Sequence, residues 1–277
     1  MIRSILFPVL AGVCNDDALA TACDLARDHD AHLVAVNCIS AVVPIAASWS
    51  TYPLAVYETL SEAAAAAGSR LVLELTAKLE QAGISHEIHT ADTIWMTPSE
   101  MAAVHARYCD IVVFGRQADV DARMQAGFFS DLLLQSGRPL LVVPEANTAR
   151  LTDAAMIAWK PAREATRALH DALPLLRWAA SVRVVAVDPK VGDLQHGELP
   201  GADIAAHLVR HGLRVDVAQV PRLGASTGVA ILREAQEQGI GLLVAGGYGH
   251  TRAREFVMGG VTRTLFEDAK MPVLFSH

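Results

Sequence analysis

Short apolar runs alternate with helical stretches along the whole chain. "SILFPVL", "HLVAVNCI", "SHEIHTA", "DIVVFG" and "PLLVVP" are the strand candidates of the first half. They are short and aliphatic or β-branched, as strands covered on both faces are. Between them, residues 58–81 place Leu60, Ala64, Ala67, Leu71, Leu75 and Leu79 at spacings of three or four. That period predicts a helix with one apolar stripe.

The second half repeats the order with "AAMIAW", "VRVVAVD", "LRVDVAQV", "IGLLVAGG" and "MPVLFS". "DIVVFG…RPLLVVP" and "GLLVAGG…MPVLFS" overlay as strand, glycine, loop, helix, then a proline opening the last strand. A repeat of this length predicts a duplicated domain. The polar stretch 145–153, "EANTARLTD", reads as the join. The expected domains are therefore residues 1–146 and 152–277. Strands alternating with helices imply parallel pairing through right-handed crossovers. The predicted fold class is α/β: two five-stranded, doubly wound parallel-sheet domains. In such sheets ligands sit beyond the carboxyl ends of the strands, where strand order reverses.

Composition narrows the partners. The 277 residues suit two domains, and 52% apolar content allows each its own core. A net charge of −7 argues against general binding to nucleic acid or to an anionic membrane. Cys14, Cys23, Cys38 and Cys109 form no CxxC pair, so free thiols in a reducing compartment are expected. "MIRSILFPVL" lacks a signal-peptide core and no apolar run reaches 18 residues, so a cytoplasmic protein is expected.

The candidate chemistry lies in "GGYGHTRAREFVMGGVTRTL", from Gly246 onward. Gly246 and Gly249 bracket a tight turn after a strand, and Gly259 and Gly260 open the next helix. Glycines allow positive φ and close backbone approach. Successive amides can then converge on an anion, helped by the helix N-terminus. A phosphate chain is the natural guest. His250, Arg252 and Arg254 are cations in the same loop, either facing that phosphate or simply solvated.

Gly246-x-x-Gly249, nine residues, then Gly259-Gly260-Val261-Thr262 resembles the nucleotide loop of the universal stress proteins, G-2x-G-9x-G-S/T. The likeness extends over both halves, as in tandem members of that family. It implies two Rossmann-like domains about a pseudo-twofold axis, with the final strands "PLLVV" and "PVLFS" side by side. It also implies an adenine nucleotide in the second domain: ATP or AMP, with Mg only alongside ATP. In ATP-binding relatives the second strand's end holds adenine, an acidic residue ending the first strand contacts the nucleoside, and the loop holds phosphate. Val187 matches the adenine-side position, and Gly246, Gly249, Gly259, Gly260 and Val261 match the loop, with His250 and Thr262 beside them.

Two positions depart from the pattern. Gly260 fills the Ser/Thr slot and removes a hydroxyl donor, worth about 0.5–1.5 kcal/mol. Lys160 stands where the acidic residue is expected, followed by Pro161. A lysine accepts no hydrogen bond from a ribose but can meet a phosphate as a point charge. The first half departs further: Leu10 fills the acidic slot, Ala118 replaces the second glycine, and counting back from Pro139 puts Ala126 and Gly127 at the Gly259–Gly260 positions. Its loop is expected to be degenerate.

Other features carry blander readings. His86 and His89 suggest one strand face and, without a ligand partner at the right spacing, a surface pair and not a metal site. Pro174 predicts a kink or an end in its helix. Segment 40–57 has no counterpart in the second half and predicts a cover over the first cleft or a partner surface. Three functions follow: a cytoplasmic stress-response sensor or regulator binding an adenine nucleotide, a nucleotide-free scaffold with protein partners, and a slow ATP hydrolase. The last lacks an obvious base or a Walker-type lysine. A homodimer is the expected assembly.

Overall fold

The computed structural model describes residues 1–38, 54–90, 96–190, 192, 199–249 and 258–277. It divides into two compact units, Met1–Arg138 and Pro139–His277. His250, Arg252 and Arg254 lie outside the described residues, as does 40–53 of segment 40–57.

The first unit runs β1 (Ser4–Leu10), α1 (Asp16–His29), β2 (His32–Cys38), α2 (Leu54–Ala82), β3 (His86–Thr90), α3 (Pro98–Ala106), β4 (Ile111–Gly115) and α4 (Ala122–Ser136). Its strands lie parallel in the order β3-β2-β1-β4. Every residue of β4 is buried, whereas edge strand β3 is polar and mostly exposed. The apolar stripe of α2 holds where described: Leu71, Leu75 and Leu79 are buried, each worth about 1.5–3 kcal/mol. Phe7, Phe114 and Phe129 fill the remaining core. Polar side chains close the helix starts. Asn15 accepts from the Ala18 N–H at the start of α1, and Thr97 with Glu100 forms a capping box on α3.

The second unit runs β5 (Leu140–Val143), β6 (Ala154–Ala158), α5 (Arg163–Leu176), β7 (Val182–Val187), α6 (Ala202–Arg210), β8 (Val215–Val220), α7 (Thr227–Glu237), β9 (Ile240–Gly246), α8 (Gly260–Asp268) and β10 (Val273–Ser276). Its strand order is β5-β10-β9-β6-β7-β8. The strands from β6 onward pair in parallel. Strand β5 lies antiparallel to β10, Val142 opposite Val273 and Leu140 opposite Phe275, so "PLLVV" and "PVLFS" are indeed side by side. The division before Pro139 reflects this pairing, because β5 is hydrogen-bonded into the second unit's sheet. Strand order reverses at β6, which has β7 on one side and β9 on the other.

Two local expectations change. His86 and His89 are three residues apart and so point to opposite faces of β3, not to one. Glu87, between them, meets His89 at 3.1 Å and His32 at 3.9 Å. Ala126 and Gly127 lie inside α4, which starts at Ala122, so counting back from Pro139 stops short of the helix start. Pro174 lies inside the last turn of α5, which stops two residues later at Leu176, so the proline stands close to the helix end.

All four cysteines are free; Cys23, Cys38 and Cys109 are buried and Cys14 is half-buried. Burial pushes the Cys38 thiol up to about 12. Among the described residues no helix is long and apolar enough to cross a membrane. Nor does any group of three or more His, Cys, Asp or Glu side chains there form a metal cage.

Candidate functional site

The carboxyl ends of β6, β7 and β9 open into a cleft of about 960 Å³ at the strand-order reversal of the second unit. Its wall takes Ala158 to Ala162 from the β6 end, Val187 to Lys190 from the β7 end, Arg222 after β8, Gly246 and Gly249 after β9, and Gly259 to Thr262 at the start of α8. The volume falls within the roughly 300–1,000 Å³ of small-molecule sites. Of the residues singled out from sequence, the structure brings Lys160, Val187, Gly246, Gly249, Gly259, Gly260, Val261 and Thr262 to this one cleft.

The glycines do different jobs. A Cβ on Gly246 would lie 2.6 Å from the Ala165 amide nitrogen, because the first turn of α5 packs directly over the strand end. Glycine there is a packing requirement. Around Gly259 and Gly260 nothing lies within 4 Å of where a Cβ would stand. Their bare backbone instead faces open space, and Gly259 caps α8 without any side-chain hydrogen bond. Among the described residues no side chain caps the first amides of α8, which suits them to an external acceptor.

The start of the loop is fixed to its surroundings. The Gly247 N–H donates to the Ser276 carbonyl at 2.8 Å. Tyr248 takes a left-handed φ of 55° and stands edge-on to His277. The Tyr248 N–H donates to the Thr262 hydroxyl at 3.3 Å. Thr262 is only 4% exposed, so its hydroxyl ties loop to helix.

The first unit's equivalent is closed by side chains. The Gln117 N–H donates to Gln125 Oε1 at 2.8 Å, and Gln125 Nε2 returns to the Gln117 carbonyl at 2.6 Å. Asn15 Nδ2 takes the Arg116 carbonyl at 2.7 Å. Asp121 caps α4 by accepting from the Met124 N–H at 2.9 Å. The amides left open at α8 thus have counterparts on α4 that are already engaged.

Residues 1–144 match the sequence profile described as the universal stress protein family, a little over half the chain. The chain belongs to the universal stress protein family. Its length and two α/β units make it a tandem member. Among solved structures it is similar to a universal stress protein from Archaeoglobus fulgidus DSM 4304, with 14% identity, 99% of this chain and 96% of that one covered, and a TM-score of 0.71. It is also similar to a functionally unknown protein from Pseudomonas aeruginosa PAO1, with 14% identity, 99% and 92% coverage, and a TM-score of 0.59. At these identities the likeness is one of fold. No curated protein matches the chain.

For a universal stress protein the cleft carries unusual charge. Lys160 is exposed on it, and the expected acid at that strand end is absent. Carboxylates occur elsewhere, at positions the sequence reading passed over. Glu164, in the first turn of α5, places Oε2 3.5 Å from where a Gly249 Cβ would be. Asp188, directly after β7, is held by Arg222 Nε at 2.6 Å. The Arg222 hydrogen bond keeps the Asp188 carboxyl below its ordinary range. Asp188 was detectable as an acid at a strand's carboxyl end. Glu164 carried no such signal, since its place beside Gly249 depends on how α5 packs on β9.

Proposed function

We propose that the second unit binds an adenine nucleotide, ATP or a relative such as AMP, and that the protein works as a cytoplasmic stress-response sensor or regulator. The observation that carries this reading is the uncapped start of α8, where Gly259 and Gly260 open without obstruction onto the cleft. Backbone amides at a helix N-terminus suit phosphate. Val187, half-buried on the wall at the β7 end, offers an apolar surface for the base, and Trp159 lies at the neighbouring β6 end. With ATP, Mg would be carried in by the phosphate chain. The first unit serves as a structural partner, its loop amides already taken by Gln125 and Asp121.

The runner-up is a nucleotide-free scaffold acting through protein contacts, favoured by Lys160 in the acidic slot and by Glu164 beside the loop. Purified protein is denatured and its released small molecules identified, and the native protein is titrated with ATP and AMP with and without magnesium. Release of a nucleotide, or saturable heat, supports the sensor. Neither at millimolar ligand leaves the scaffold.

A further inference from the structure

The charges on the described cleft wall are few. Arg222 and Asp188 are engaged with one another at 2.6 Å, which leaves the lysines Lys160 and Lys190 against Glu164. The described part of the wall therefore carries one net positive charge. The one carboxylate left over lies beside the glycine loop, where the motif would place phosphate.

Glu164 has little freedom to retreat. Its backbone carbonyl carbon stands 2.6 Å, and its own Cβ 2.9 Å, from where a Gly246 Cβ would be, so the first turn of α5 rests directly on the end of β9. The residue is half-buried, and among the described residues no hydrogen bond or ion pair diverts its carboxylate. Like charges juxtaposed in a partly desolvated site cost far more than on an open surface.

Resting on the nucleotide reading above, we propose that Glu164 sets the charge of the ligand that the loop admits: it disfavours a phosphate chain with several negative charges and leaves a singly charged phosphodiester as the preferred anion. With Glu164 ionised, each added negative charge on the ligand meets the same carboxylate, so the penalty grows from a phosphodiester to a free triphosphate. Glu164 acts through charge alone, so a neutral isostere abolishes the preference and a shorter carboxylate keeps it.

The test is calorimetric titration of the full chain, wild type, Glu164→Gln and Glu164→Asp, with 3′,5′-cyclic AMP, AMP and ATP in EDTA, then with ATP plus magnesium. Thermal melts confirm that each variant is folded. Wild type is expected to bind the cyclic phosphodiester more tightly than ATP in EDTA. Glu164→Gln is expected to strengthen ATP binding roughly tenfold while moving the cyclic nucleotide less than about threefold. Glu164→Asp should keep the wild-type order. An unchanged ATP-to-cyclic ratio in Glu164→Gln overturns the proposal. So does weakened binding of magnesium ATP in that variant, which would make the carboxylate a metal ligand. If no protein binds any nucleotide, the underlying nucleotide reading fails and takes this proposal with it.

Discussion

Ala165 crosses the end of β9 so closely that a Cβ on Gly246 would stand 2.6 Å from its amide nitrogen. The first unit repeats the arrangement, with the Asn15 and Ala18 side chains crowding Gly115. Both halves thus keep a glycine at this point for packing, whatever each can bind. Gly246→Ala should destabilise the protein by about 1–3 kcal/mol through overpacking. Urea denaturation checks this: a midpoint within error of wild type would show that α5 shifts aside without cost.

Gly259 invites the opposite change. In α4 the cap is Asp121, whose carboxylate occupies a helix amide. Gly259 has extended cap geometry and open space around it. Gly259→Asp should therefore stabilise α8 by roughly 0.5–1 kcal/mol while abolishing nucleotide uptake. Denaturation and titration with AMP are read together. Higher stability with undiminished binding would mean that the α8 amides are not the ligand's hydrogen-bond donors.

Gly260 fills the place of a hydroxyl residue in the family motif, again with nothing within 4 Å. Gly260→Ser should tighten nucleotide binding by about 0.5–1.5 kcal/mol, the worth of one added hydrogen bond. A dissociation constant that does not fall would place the phosphate away from the start of α8.

Gln125 is buried and satisfies both the amide and the carbonyl of Gln117. Gln125→Leu should cost about 1–3 kcal/mol for each buried group left unpaired, yet leave nucleotide binding untouched. Loss of binding at unchanged stability would relocate the site to the first unit.

Histidines set an acid limit. Burial, with His211, His170 and Arg210 nearby, holds the His207 imidazole below its usual 6.5. Burial lowers His29 and His105 likewise. The unfolded chain then binds protons that the native state resists. Stability is full above about pH 6.5 and falls as the pH drops through 6.5 toward the lower native values. Melting temperature should decline between pH 7.5 and 5.5, and less steeply in His207→Gln. Equal slopes for the two proteins would remove His207 from the account.

The framework was legible because its signals are local. Aliphatic runs such as "DIVVFG" and "GLLVAGG" mark strands, and the repeat of the whole order reveals the duplication. The cleft could be located because it lies where β6 has neighbours from both directions of the chain. What stayed hidden depends on contacts distant in sequence. Gly246 looks like a ligand glycine until α5 is seen resting on it. Glu164 looks like an ordinary first-turn acid until its carboxylate is found beside Gly249, eighty-five residues on. Gln117 and Gln125 carry no motif, and only the fold of their loop makes them close it. The misplacement of Ala126 and Gly127 has a simple cause: α4 begins well before the point at which α8 does.

Hydrogen exchange read peptide by peptide, with and without saturating AMP, tests the central claim most directly. Slowed exchange at 246–249 and 259–262 with no change at 115–118 is the predicted result. Protection at 115–118, or at neither loop while AMP is demonstrably bound, would contradict it.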